Sequence, residues 1–282
     1  MSVNQITAQF RTIYQDEFKY DFDRDMAKMK IAVRSDGVVN GATAYFDVVD
    51  PADEAVEKTR DGRVPKSDLG LSQVPATLKK IHKKYQIDNF DLFRANKNTR
   101  AAMSKRGRGS INKGIDKEII TKLDATSVVH PAGTVVFSTL AVVQAATLVL
   151  WNKDIPDDGE VFGAVTPAAW AQMMRINEFK SADFTNVKPV DSNAIGMRVR
   201  NWLGINWFTH TGLTGAGTAT ANTFIFHKSA VGHMISGEPA PHLFTSEEDD
   251  YEGVRFDVMH AACVPLPRGV IKCVHNDTAA LA

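Results

Sequence analysis

DLFRANKNTRAAMSKRGRGSINKGIDKEIITKL, residues 91–123, is the stretch that decides the fold. Leu92, Phe93, Met103, Ile111, Ile115, Ile119 and Leu123 recur at helical spacing, which predicts one long helix over Asp91–Leu123. Its weak points are Gly107, Gly109 and Gly114. Each costs about 1 kcal/mol against alanine inside a helix, so a kink or break is expected there.

Working outward, the segment just before this helix, Thr77–Ile87, reads TLKKIHKKYQI. Apolar and charged residues roughly alternate, which predicts a basic strand. Further upstream, Ala44–Val49 is strand-like, and a polar, acidic stretch follows to Gly62, punctuated by Pro51 and Pro65. That stretch reads as a long hairpin or loop, and loops of such length inside a domain are usually functional or disordered. At the start of the chain Ile6, Phe10, Tyr14, Phe18, Phe22, Met26 and Met29 stand at steps of three and four, an aromatic stripe that needs either its own core or another subunit to cover it.

Downstream, the apolar run Thr134–Trp151 is too short to cross a bilayer, which takes about 20 apolar residues, and predicts a buried helix over Thr139–Asn152. The turn Pro156-Asp157-Asp158-Gly159 leads to a strand at Glu160–Val165. Thr166 then reads as an N-cap with Pro167 at the first helical position, opening a helix over Ala168–Phe179. Strand signals fill the rest at Met197–Thr211, Thr223–His227, Arg255–Val264 and Val270–Val274, with a short helix near Ser229–Ile235 and an exposed turn over Gly212–Thr223. The pattern is α+β.

Chemistry is harder to find. The Gly212–Gly217 segment has the wrong spacing for a dinucleotide loop and no capped helix after it. His227 and His233 are six apart, off a common helical face. Cys263 and Cys273 lack the paired short spacings of a zinc site and are expected to be buried thiols in a reducing compartment. No nucleophile elbow, zinc-protease or phosphate-loop sequence is present, and the first ten residues do not form an export signal. The expectation is therefore no catalytic residue, no metal, no cofactor and no membrane.

Charge is the stronger signal. The chain has 33 lysines plus arginines and 33 aspartates plus glutamates, so only their distribution is informative. From Lys79 to Lys122 thirteen basic residues face four acidic ones, Asp88, Asp91, Asp116 and Glu118, with Lys105, Arg106 and Arg108 at the centre. Asp47, Asp50, Asp53, Glu54, Glu57 and Asp61 fill the long loop, where Arg60 and Arg63 also lie, and Glu247–Asp250 form a second acidic patch. Such runs are commonly solvated faces. Two functional readings compete with that one: the basic segment faces phosphate, or it receives the acidic loop of a neighbouring copy.

The order of arm, long two-stranded loop, basic helix, apolar helix and strand-rich half resembles the tailed-bacteriophage major capsid proteins of the Hong Kong 97-type fold. Local phrases are similar as well: Asp68-Leu69-Gly70 with Gln73, Asp116–Leu123, Val165-Thr166-Pro167-Ala168-Ala169-Trp170, Phe179–Phe184, Trp202-Leu203-Gly204 and Phe226–Gly232. The resemblance spans nearly the whole chain and rests on the order of these phrases. It implies an N-terminal arm over 1–35, an extended E-loop over 36–86, a P-domain with a spine helix over 87–160 and 255–282, and an A-domain over 161–254. It further implies self-assembly into hexamers and pentamers of an icosahedral head around double-stranded DNA, held without regard to sequence. E-loop residues Asp53, Glu54, Glu57, Arg60 and Arg63 would lie between subunits, Lys105, Arg106 and Arg108 would face DNA or a neighbour, and Phe10, Tyr14, Phe18 and Phe22 would make the arm contacts. Scaffolding and portal proteins are the implied partners, and the virion, assembled in the host bacterial cytoplasm, is the implied location. The alternatives are an encapsulin-like compartment shell and a cytoplasmic nucleic-acid-binding protein using residues 79–122.

Overall fold

A computed structural model describes residues 26–51, 55, 57, 62, 69–88, 99–126, 128–131, 133–180, 199–236, 240–248 and 250–279. In chain order these form α1 (Lys28–Ile31), β1 (Val38–Asn40), β2 (Thr43–Val49), β3 (Leu71–Thr77), β4 (Lys79–Asp88) and α2 (Thr99–Asp124). They continue as α3 (Leu140–Trp151), β5 (Val161–Val165), α4 (Pro167–Met173), α5 (Asn177–Lys180), β6 (Val199–Trp202), β7 (Ile205–Thr209) and β8 (Ala221–His227). The last strands are β9 (Gly232–Ser236), β10 (Pro241–Ser246), β11 (Tyr251–Cys263) and β12 (Val270–His275). Helices and sheets mix as α+β. The chain divides into two compact units, one drawing on Lys79–Glu118 and Ile235–His260, the other on Met29–Leu78, Ile119–Met234 and Ala261–Ala282.

In the first unit the sheet runs β10-β11-β4, with β11 antiparallel to both neighbours and Tyr251↔Asp88 and His260↔Lys79 closing its ladder with β4. Alternation sends Val254, Phe256 and Val258 of β11 inward, while Arg255 points to solvent. Helix α2 packs on that inner face. Contrary to the expected kink, α2 is continuous for 26 residues. The reason is tertiary: a Cβ on Gly107 would lie 2.2 Å from Phe256 Cε2, and one on Gly114 would lie 3.1 Å from Ile81 Cδ1. The glycines let the sheet approach the helix backbone, and burial of Phe256, Ile111 and Ile115 offsets their poor helix propensity.

The second unit holds two sheets. In the larger, β12-β8-β5-β7-β6, β5 runs parallel to β7 and antiparallel to β8. Its core gathers Trp207, Phe137, Phe179, Val143, Leu150, Ile225 and Ile271. The apolar α3 belongs to this core, burying Val143, Ala146, Thr147 and Leu150. The expected strand Met197–Thr211 is instead a hairpin, β6-β7, turned by Leu203 at φ 54° and Gly204 at φ 72°. Two consecutive left-handed residues match the right-handed twist of the flanking strands, a pattern that glycine favours. The expected helix Ala168–Phe179 is broken into α4 and α5. Its start is as read, since Thr166 Oγ1 accepts from Ala169 N–H at 3.1 Å. A turn at 174–176 then swings Phe179 edge-on to both Trp170 and Trp202. The short helix expected at Ser229–Ile235 is a 3₁₀ turn, Lys228–Ala230, followed by strand β9. The smaller sheet is the hairpin β2-β3 with β1 on its edge, and its core is Ala44, Phe46, Ala76, Ala261 and Cys263.

The last turn clasps this unit together. Asp277 accepts from Thr166 Oγ1 at 2.7 Å, from His275 Nε2 at 2.7 Å and from Gly217 N–H at 2.8 Å. Nearby, Asp124 at the end of α2 accepts from Asn222 Nδ2 at 2.7 Å and from Thr214 Oγ1, so the glycine-rich turn is pinned at both ends. Lys272 Nζ donates to the Asp124 carbonyl at 3.0 Å, placing a cation at the negative end of the helix dipole.

Packing at Gly107 predicts that Gly107→Ala destabilises the subunit by about 1–3 kcal/mol through overpacking, although alanine is the better helix former. Gly114→Ala, facing only the mobile end of Ile81, is expected near neutral in the same thermal or urea unfolding experiment.

Burial of His275 and His260 gives a pH dependence. Desolvation pushes both imidazoles below the ordinary 6.5, against the opposing pull of Asp277 on His275 and of Glu118 on His260. Above about pH 6.5 folded and unfolded forms are both neutral. Below it the unfolded chain takes up protons that the folded chain refuses, so stability falls as pH drops. Melting temperatures from pH 7.5 to 5 should decline, and His275→Gln should flatten the slope from its own lower starting point. An unchanged slope in both His275→Gln and His260→Gln would contradict this origin.

Candidate functional site

The candidate surface is built on α2 and β4. Along α2, Lys105, Arg106 and Arg108 are exposed, while Gly107, on the opposite side of the helix, is buried against Phe256. Arg106 sits 5.8 Å over the Tyr85 ring, and Lys83 sits 5.5 Å from the same ring. Tyr85 is fixed in turn by a 3.1 Å hydrogen bond between its hydroxyl and that of Ser110. An aromatic of β4 thus holds one cation of the helix and one of the strand. Further along, Lys113 and Lys117 extend the exposed basic face of α2.

The other strand lysines are committed within the unit. Lys79 bridges to Glu118 at 2.8 Å and Lys80 to Asp257 at 3.0 Å. Lys84 donates to the Tyr251 hydroxyl at 3.0 Å and lies 4.7 Å over Phe244 and 4.8 Å over Tyr251. Asp257 also meets His242 and Arg255 at 3.5 and 3.6 Å. The hydrogen bond from Lys80, with the surrounding positive charge, holds its carboxyl below the usual range. These are surface contacts, whose attraction solvent screens.

On the hairpin β2-β3, Gln73 Nε2 donates to Asp47 Oδ1 at 2.8 Å and Arg34 donates to the Asp47 carbonyl at 3.1 Å. Arg34 also stands 5.6 Å over the Phe46 ring. Toward the tip, the paired Val49 and Leu71 expose large apolar side chains, 54% and 69% accessible, and Glu57 is exposed. Asp53, Glu54, Arg60 and Arg63 lie outside the described residues, as do Phe10, Tyr14, Phe18 and Phe22. At the β10-β11 turn Glu247, Glu248 and Asp250 are exposed, with Asp250 at φ 46°. The structure therefore brings the basic strand and the basic helix together on one unit.

Among the described residues no three of His, Cys, Asp and Glu gather as a metal site, and no helix is long and apolar enough to cross a membrane. Both cysteines are buried and unpaired, and desolvation pushes the Cys263 thiol up to about 11 and that of Cys273 to about 12. Neither is a thiolate at neutral pH.

Sequence reading missed two hydroxyl–imidazole–carboxylate groups. One is the clasp of Thr166, His275 and Asp277; the other joins Ser229, His227 and Asp158. The short spacings His227-x-Ser229 and His275-x-Asp277 are visible in the sequence, but their third members are 69 and 109 residues away.

A family model described as phage capsid protein matches residues 6–274. Curated protein sequences give no match. Among solved structures, a chain of Mycobacterium phage Che8 superposes with a TM-score of 0.69 at 14% identity, over 94% of this chain and 96% of that one. The capsid of Ralstonia phage GP4 gives 0.68 at 10% identity, over 93% and 94%. The cyanophage Pam1 capsid asymmetric unit gives 0.67 at 10% identity, over 99% and 100%. At such identities the likeness speaks for the fold, which is the Hong Kong 97-like α+β fold of phage capsids. These matches favour neither the compartment shell nor the cytoplasmic nucleic-acid-binding protein. A family model matched over nearly the full length, on a fold shared from end to end with phage capsid chains, shows that the chain belongs to the phage capsid protein family, as a major capsid protein.

Proposed function

We propose that this chain is the repeating structural subunit of an icosahedral phage head, assembling as hexamers and pentamers around double-stranded DNA and catalysing no step of that assembly. Residues 1–35 act as the arm, 36–86 as the E-loop, 87–160 with 255–282 as the P-domain, and 161–254 as the A-domain. This division follows roles in a shell and differs in kind from the two packing units of a single chain. Scaffolding and portal proteins are its further partners, and assembly in the host bacterial cytoplasm precedes its place in the virion.

The observation that carries this reading beyond family membership is the exposed cation face of α2. Lys105, Arg106 and Arg108 are exposed on one continuous helix of 26 residues. Contact with phosphate through such a face is independent of sequence and weakens with salt. Replacing all three by glutamine is expected to leave shell assembly intact while DNA content falls, with a shallower salt dependence of retention. Genome content equal to wild type would remove this cluster from the DNA-facing surface.

The acidic loop supports a second contact. Asp53, Glu54 and Glu57, with Arg60 and Arg63 nearby, are proposed to cross a subunit boundary and meet basic residues of a neighbour, while Phe10, Tyr14, Phe18 and Phe22 cover apolar surface there. A single exposed pair contributes about 0–1 kcal/mol, but a shell repeats it in every subunit. Deletion of 51–63 should leave circular dichroism unchanged and abolish closed shells in electron micrographs, because surface loops are cheap to shorten while interfaces are not. Growth of wild-type shells should slow as salt shortens the Debye length to about 8 Å. Normal shells from the deletion would refute the loop's role.

A further inference from the structure

We propose that Ser229 is an activated nucleophile, an acyl-acceptor site for carboxylic ester electrophiles, driven by His227 and Asp158. Ser229 Oγ lies 2.6 Å from His227 Nδ1, and on the far side of the ring Nε2 lies 3.1 Å from each oxygen of Asp158. The proton's place on the imidazole follows from the backbone. Ser229 N–H also points at Nδ1, at 3.2 Å, and an N–H requires an acceptor, so Nδ1 carries the lone pair and Nε2 carries the hydrogen. The order is therefore carboxylate, N–H, imidazole lone pair, hydroxyl, which is the arrangement that activates a serine. The Glu160 N–H, bonded at 2.9 Å, and then His227 hold the Asp158 carboxyl below its ordinary range and keep it ionised.

The second such group in this unit is a useful contrast. Around His275, both Thr166 Oγ1 and Asp277 Oδ1 meet the same nitrogen, Nε2, at 3.1 and 2.7 Å. A base cannot accept from a hydroxyl through the nitrogen that donates to its carboxylate, and Thr166 and His275 are completely buried. That group is a clasp. At Ser229 the partners are on opposite nitrogens. His227 is buried, Ser229 is partly accessible and Asp158 is 44% exposed, so the group lies at the surface while its base stays packed.

Strand pairing fixes the arrangement. His227 ends β8 opposite Val161 of β5, Lys228 N–H donates to the Glu160 carbonyl at 3.0 Å, and Lys228 Nζ bridges Glu160 at 2.8 Å. Asp158, three residues before Val161, is thus delivered to the ring by the sheet register. In the reaction Ser229 Oγ bonds to the ester carbonyl carbon and the bond from that carbon to the alcohol oxygen breaks. The hydroxyl proton passes to His227 Nδ1 and from there to the departing alkoxide, leaving acyl-Ser229 and a free alcohol.

The test uses the full chain and a fluorophosphonate probe, which captures activated serines with loss of fluoride, read by peptide mass spectrometry. Wild type is expected to label at Ser229. Asp158→Asn should slow labelling at least about tenfold, within the range of a positioned acid–base group, and Asp158→Glu should restore much of it; a residue that merely caps the turn would give no such rescue. Ser229→Ala should remove the label and retain the wild-type circular dichroism, which keeps the test meaningful even where His227→Gln does not fold. Absence of label at Ser229 in the folded wild type, or equal rates in wild type and Asp158→Asn, would overturn the proposal.

Discussion

The contact of the Phe256 ring with the Gly107 backbone is the constraint on which the basic unit depends. A side chain at position 107 would stand the helix off the sheet, and three consequences of the close approach would be lost together. Tyr85 would no longer reach both Ser110 and Arg106, Ile81 would leave the groove over Gly114, and Ile111 and Ile115 would lose their burial. The glycines that weaken the helix as an isolated segment therefore seat it on the sheet. Lys105, Arg106 and Arg108 are exposed on the side of the helix away from Gly107, which faces the sheet.

Much of the fold was legible because period and punctuation are local properties. The apolar spacing of Ile111, Ile115, Ile119 and Leu123 marks α2, the alternation around Ile81 and Tyr85 marks β4, and Thr166-Pro167 marks the start of α4. The failures share a cause, which is that tertiary packing overrules local preference. Nothing near Gly107 in the sequence announces Phe256, so the glycines read as a break. Ser229–Ile235 reads as a short helix, but from Gly232 onward the chain extends as β9. The break between α4 and α5 is decided by where Phe179 finds Trp170 and Trp202, and those partners are separated by 9 and 23 positions in sequence from it.

The candidate site was legible as charge and illegible as geometry. Thirteen basic residues over Lys79–Lys122 are countable in the sequence. Which of them are already paired is not, since Glu118 and Asp257 come to Lys79 and Lys80 through the β4 contacts with α2 and β11. The same limit hid both imidazole groups. A histidine and its neighbour two residues on are visible, but Asp158 and Thr166 join them only through the pairing of β5 with β8 and the docking of the final turn.

That division among the cations narrows how the surface can meet a partner. Lys80 would have to give up Asp257, and Lys84 its two aromatic rings, before either could pair with a carboxylate of another chain. Such an exchange trades one solvent-screened pair for another and gains little net free energy. Helix residues Lys105 and Arg108 are exposed at the centre of the basic run. The strand lysines thus chiefly stitch the unit's own sheet, while the cations of α2 lie on its exposed side. A chain with no net charge can still carry a local field of one sign, because field depends on where the charges sit.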